Sequence, residues 1–233
     1  MAQAPTDPPS PSLTGVTWQW VSFSDGMQAF DLTTPDYTVT FYADGRVGIK
    51  ADCNIVLGSY TFEDSSMAIL LGPSTLVACP PGSRGAEFTH YLSQVVLATF
   101  SENGSLILDL PFSSGSLVFS AQPQVTGTLS YRQRIALPPD ALVRIQIIDV
   151  SIADRAATVV GEQVFNTDGA QVPFDFAVSY PASAIEENRR YSIAARITDG
   201  NGRLLFINDT IVPVITGGAP TSGIDLVLAM VSR

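Results

Sequence analysis

The amino-acid sequence predicts a mainly β protein made of two β-rich domains, the first a sheet covered by a single helix and the second a sandwich of about seven strands. Three observations lead there. Apolar residues recur at two-residue spacing in run after run, turn residues separate the runs, and clean helical spacing shows in a single stretch. At 233 residues the chain exceeds the usual length of one domain. Its charge is also unevenly divided: residues before 122 hold 11 acids and 3 bases, the remainder 11 acids and 9 bases.

The opening strand is Gly15 to Val21, with Trp18 and Trp20 on one face and Thr17 and Gln19 on the other. A hairpin follows, Tyr37 to Tyr42 and Arg46 to Ala51, because Asp44-Gly45 supplies the positive φ a tight turn requires. Gly58 to Glu63 and Met67 to Leu71 continue the pattern until Pro80 to Gly85 interrupts it. From Glu87 the apolar positions Phe88, Tyr91, Leu92 and Val95 fall at i, i+3, i+4 and i+7, one face of a helix. Leu97 to Phe100, Leu106 to Leu110 and Leu117 to Phe119 close this half.

Ser120 to Gln124 is a short polar, proline-bearing join, which divides the chain into domains at 13–122 and 123–233. Beyond it the strands are Val125 to Arg134, Ala141 to Val150, Thr158 to Val164, Pro173 to Val178, Tyr191 to Thr198, Leu204 to Ile207 and Asp225 to Met230. Seven short strands with turns between them suggest an immunoglobulin-like β-sandwich. Residues 1–12 hold four of the sixteen prolines and read as a disordered leader of the kind that tethers an exported domain. A signal peptide, of lipoprotein type, is expected upstream of Met1, removed on export to the periplasm or outer envelope.

Composition narrows function. A net charge of −10 with a single lysine, Lys50, disfavours nucleic acid, which needs clustered bases. No apolar run approaches the roughly 18 residues of a membrane span. His90 is the sole histidine, so any triad chemistry would pass through it, and its place between Phe88 and Tyr91 reads instead as helix packing. G-x-S-x-G, P-loop and G-x-G-x-x-G motifs are absent. Asp140, Asp149, Asp154, Asp168 and Asp175 stand mostly beside turns, and Asp199-Gly200-Asn201-Gly202 lacks the distal glutamate of a calcium loop. Asn103-Gly104-Ser105 and Asn208-Asp209-Thr210 fit the glycosylation triplet but also make good turns. The expectation is no enzyme activity, no cofactor and no metal site.

The first half resembles a META domain of the HslJ-like group. The resemblance rests on Leu13, Gly15 and Trp18, on Phe41 with Asp44-Gly45-Arg46, and on Cys53-Asn54 with Gly58 and Tyr60. It continues through Thr75 with Ala78-Cys79, the helix bearing Glu87, Phe88 and Leu92, and Leu106, Leu108 and Phe119. The second half is similar to the YbaY/YscW-type lipoprotein domain through Val125-Thr126-Gly127, Tyr131-Arg132, residues 135–139 (IALPP), 147–151 (IIDVS), Ala153-Asp154, Val172-Pro173-Phe174, Tyr180-Pro181 and Tyr191 with residues 195–199 (ARITD). The lipobox cysteine of many members is missing.

These resemblances imply a META-type sheet or barrel with one packed helix, and a pilotin-like module. In an exported protein, Cys53 and Cys79 favour a disulfide, with two buried free thiols as the alternative and a redox pair opposed by the lack of C-x-x-C. The function implied is a non-catalytic envelope protein that binds an envelope or secretion-related protein and aids assembly or stress tolerance. Tyr131, Arg132, Arg134 and Arg144 are the candidate contact residues, read as a cluster on neighbouring strands. The alternative is a small-ligand carrier with a pocket between the Phe88–Val95 helix and the sheet bearing Trp18 and Trp20.

Overall fold

A computed structural model describes residues 12–32, 34–152 and 157–231. The leader up to residue 11 and Asp154 lie outside the described residues. The chain divides into two units, Met1–Ala121 and Gln122–Arg233.

In the first unit the strands are β1 (Thr17–Ser24), β2 (Ala29–Asp31), β3 (Tyr37–Phe41), β4 (Arg46–Ala51), β5 (Asn54–Glu63), β6 (Ser66–Ser74), β7 (Leu97–Phe100), β8 (Leu106–Asp109) and β9 (Ser116–Ala121). They pair antiparallel in sequence order, β2 excepted, and β9 returns to β1, closing a barrel. Closure removes the open edge between β1 and β9, and a barrel of about eight strands is just wide enough for side chains to fill. Period-2 alternation sends Trp18, Trp20, Val39, Phe41, Val47 and Ile49 inward, all essentially buried. A register shift between Trp20 and Ser22 then changes the phase, so Phe23 also points inward although strict alternation would turn it out.

The helix α1 (Gly85–Leu92) fills the barrel from one end. Phe88 stacks on Trp20 at 5.0 Å and meets Tyr37 edge-on, while Tyr91 stacks on Phe23 at 4.5 Å. Both indole N–H groups find carbonyls: Trp18 donates to Leu13 O at 3.0 Å and Trp20 to Ser22 O at 2.8 Å. Gly85 is dictated by close approach, since a Cβ there would lie 2.9 Å from the Ala51 carbonyl oxygen. Helical conformation ends at Leu92, short of the Val95 that the spacing included, yet Val95 stays buried on the same face.

Cys53 and Cys79 are joined, with their Cα atoms 5.5 Å apart. Beside them Asn54 receives the Val77 N–H at 2.8 Å and donates to Val77 O at 3.0 Å. Together the disulfide and this side chain pin the connection from β6 to α1 against the β4–β5 turn. The Asp44-Gly45 hairpin forms as expected: Gly45 has φ +83° and Asp44 accepts from the Arg46 N–H.

The second unit contains β10 (Gln124–Tyr131), β11 (Leu142–Asp149), β12 (Thr158–Asn166), β13 (Phe174–Ser179), β14 (Tyr191–Thr198), β15 (Leu204–Ile207), β16 (Val212–Val214) and β17 (Ile224–Met230). A single hydrogen-bonded path, β12-β11-β14-β15-β17-β10-β13, wraps around one core. The two faces of the expected sandwich are therefore continuous through β17. Its residues 224–228 pair with β10 in parallel, and residues 229–230 pair with β15. Gly127 permits that parallel contact, because a Cβ would sit 2.0 Å from Ile224 O. At the free ends of the path, the Ala177 N–H on β13 donates to Gln163 Oε1 on β12 at 2.9 Å.

β2 and β16, three residues each, are absent from the sequence-based reading; so short a run carries no periodicity. Asp149, at the end of β11, accepts from the Ser151 N–H at 2.9 Å and from Arg189 at 2.8 Å. Hydrogen bonds from Ser151, then the Arg189 guanidinium, hold its carboxyl down at about 2, below the ordinary 3.8.

Cys79→Ser costs about 3 to 4 kcal/mol by releasing the closed loop from the unfolded chain's constraint, measurable as a fall in the denaturant midpoint that reductant reproduces in the native protein. Phe88→Ala costs about 3 to 5 kcal/mol, because the barrel cannot collapse around the missing ring; an unchanged midpoint would refute the filled interior. For Asp149 the folded carboxyl is the stronger acid, so its stabilisation is present above the ordinary carboxylate range and disappears as pH falls toward about 2. Asp149→Asn is expected to flatten that acid limb of the stability curve, followed by far-ultraviolet circular dichroism.

Candidate functional site

The segment that leaves β10 builds an apolar hollow in the second unit. Tyr131, nearly buried, stacks on Phe206 of β15 at 4.1 Å, and its hydroxyl donates to Ile135 O at 2.7 Å. Burial pushes this phenol's pKa upward. Further along, Gln171 accepts the Leu137 N–H at 2.7 Å and so fixes the far end of the segment. Between this strap and the strands β15 and β17 lies a space of about 460 Å³, lined by Ile135, Leu137, Pro138, Leu204, Met230 and Val231 among others. Ile135 is 52% exposed and Met230 46%. Among the described lining residues Arg203 is the one charged side chain, and it is occupied by Asp199 at 3.1 Å. Such a hollow, apolar along nearly all of its described lining, can accept apolar side chains from a partner.

The expected contact cluster is not assembled as read. Tyr131 lies on β10 and Arg144 on β11, which are separated in the sheet order by β14, β15 and β17. Arg132 and Arg134 are exposed in the bend past the end of β10 at Tyr131. Arg144 stands opposite Arg196 in register and is bound to Glu162 at 2.5 Å, beside a smaller hollow of about 280 Å³ that also touches Ile148, Ala194 and Ile211. Alternation along each strand was legible, but which strands become neighbours was not. Tyr131 has a different part to play: it props the strap that forms the apolar hollow. Ile135 and Met230 were missed as site residues, although the apolar run at 135–138 inside a turn segment was a usable signal.

The space expected between the Phe88–Val95 helix and the Trp18–Trp20 strand is filled, while a separate hollow of about 340 Å³ lies at the start of the helix, lined by Ala51, Val56, Gly85, Ala86 and Thr89 among others. Trp20 and Phe88 are fully buried and stacked face to face, so their own rings take up that space. His90 is exposed on the outer side of α1, its Nε2 3.2 Å from Gln94 Nε2. Asp168 occupies a left-handed turn position, Asp175 is exposed on β13, and Asp140 abuts Gly200. Among the described residues no group of three His, Cys, Asp or Glu side chains is placed to hold a metal ion. Asn208 is committed to the backbone, accepting from the Ala195 N–H at 2.6 Å and donating to Thr210 O at 3.0 Å.

Residues 11–124 match the META domain family model, and residues 120–226 match the YscW family, described as a type III secretion system lipoprotein chaperone. The uncharacterized lipoprotein YbaY of Escherichia coli (strain K12) is 40% identical over 106 residues, which make up 46% of this chain and 55% of that protein. The chain thus spans about half the length of that curated relative. Among solved structures, an alternative pilotin from the type II secretion system of Vibrio cholerae is 42% identical, with 47% of this chain and 97% of that one covered and a TM-score of 0.45. A protein from Burkholderia xenovorans is 18% identical, with 52% and 98% covered and a TM-score of 0.39. By the family matches, the chain carries a META domain followed by a YscW-type lipoprotein-chaperone domain.

Proposed function

We propose that this is a non-catalytic protein of the cell envelope whose two units are separate domains, 13–122 and 123–233, and whose second domain binds a component of a secretion apparatus to assist its assembly. The observation that carries the reading is the apolar hollow under the 132–138 strap, where Ile135 and Met230 stay half exposed around a concave floor. A partner's apolar side chains would bury there what the isolated chain leaves wet. The YscW family's description as a lipoprotein chaperone supports a secretion-related partner, and the likeness to the lipoprotein YbaY supports the envelope as its location. No described helix is long and apolar enough to cross a membrane.

Photo-crosslinking in the intact chain tests this. A crosslinker at Met230 is expected to give a discrete adduct with one envelope protein, and Ile135→Asp to reduce that adduct about tenfold or more by placing a charge in the apolar floor. Equal adducts from a crosslinker at the exposed Asn201, or an adduct indifferent to Ile135→Asp, would count against the reading.

A further inference from the structure

At the helix-filled end of the first barrel, two loop tips present large apolar side chains to solvent. Met27, on the β1–β2 turn, is 98% exposed, and Phe112, on the β8–β9 connection, is 101% exposed. Neither tip is slack. Asp25 accepts the N–H groups of Met27 at 2.9 Å and Gln28 at 2.7 Å, which fixes the first. The Leu110 N–H donates to Gly115 O at 2.8 Å across the base of the second. Gly115 fits against the Phe23 ring so tightly that a Cβ would come within 2.8 Å of it.

Phe112 also has φ +57° and Ser113 φ +56°. The left-handed region is disfavoured for a bulky L residue, and here the strain is offset by no burial of the aromatic ring. Backbone strain that aims an apolar side chain at water points to something other than stability. Val96 and Leu97, both partly exposed, share with Asp25, Asp109 and Phe112 a hollow of about 570 Å³ between the two loops. The chain leaves this barrel at the other end of β9, beyond Ala121.

We propose that Met27 and Phe112 are a pair of wedges that dip into the interfacial layer of a lipid bilayer with zwitterionic headgroups. The tips are convex and fully exposed, which suits a soft surface that parts around them. Charge selects the headgroup. All three bases of this unit, Arg46, Lys50 and Arg84, are engaged by acids, leaving an excess of carboxylate. The tip itself carries Asp25, held ionised by the N–H groups of Gln28 and Met27. That surface repels anionic lipid and complements the outward ammonium of phosphatidylethanolamine or phosphatidylcholine.

The full chain carrying Phe112→Trp is mixed with vesicles of phosphatidylethanolamine and phosphatidylcholine, and with the same lipids containing phosphatidylglycerol. Because Trp18 and Trp20 are buried, the new indole reports the tip. A blue shift on neutral vesicles that survives high salt is expected, and Met27→Trp gives a second, independent reporter. Met27→Ser with Phe112→Ser should lower co-flotation by about tenfold or more, given the transfer free energy of two apolar side chains, while the melting temperature holds. Three results each overturn the proposal: no shift with either reporter on any vesicle, a shift that needs phosphatidylglycerol and vanishes in salt, or concentration-dependent self-association abolished by the double serine variant without vesicle binding.

Discussion

A closed barrel must have its interior filled, and in the first unit the stack of Phe88 on Trp20 meets that requirement. Strand pairing alone would leave a hollow cylinder with its apolar faces looking at one another across a gap. The helix supplies the missing volume, and several features make sense as devices that hold it in place. Gly85 lets its first turn approach the Ala51 carbonyl, and the Tyr37 hydroxyl receives the Arg84 N–H at 2.8 Å. The disulfide and Asn54 tether the connection through which the chain reaches it. The residues that carry the META resemblance, Trp18, Cys53-Asn54, Cys79 and Phe88, are thus bound by one packing problem.

Much of this was legible because it is local. Asp44-Gly45-Arg46 and Asp199-Gly200-Asn201-Gly202 announce hairpins with the chemistry that makes them: a carboxylate accepting backbone N–H groups, then a glycine at positive φ. Helical spacing at Phe88, Tyr91 and Leu92 identified the buried face. What escaped is non-local. The register shift that turns Phe23 inward depends on how β1 meets β9, and no count along β1 reveals it. The separation of Tyr131 from Arg144 is likewise a matter of strand order. The apolar hollow draws on Ile135, Leu204 and Met230, three segments that sequence distance keeps apart.

The two units solve the sheet-edge problem differently. In the first, β9 pairs with β1 along its whole length and leaves no edge between them. In the second, the path ends at β12 and β13, joined by the Gln163 side chain reaching the Ala177 N–H in place of a full ladder. The barrel is packed with aromatic rings, which suits a rigid support. The second unit keeps its strap and an open apolar floor, which suits contact with something else.

The parallel ladder between β10 and β17 sets an order of events. The first strand of the second unit takes one of its two neighbours from residues 224–228, about a hundred positions downstream. Until those arrive, β10 has β13 on one side and an unsatisfied row of amides and carbonyls on the other. Pairing at such sequence separation is slow, because loop closure must precede any reward. A chain emerging N-terminus first, from a ribosome or a translocation pore, would therefore hold its META barrel finished while its second half waited. Stopping synthesis before β17 would leave β10 unpaired on that side and forfeit the fold of the whole half.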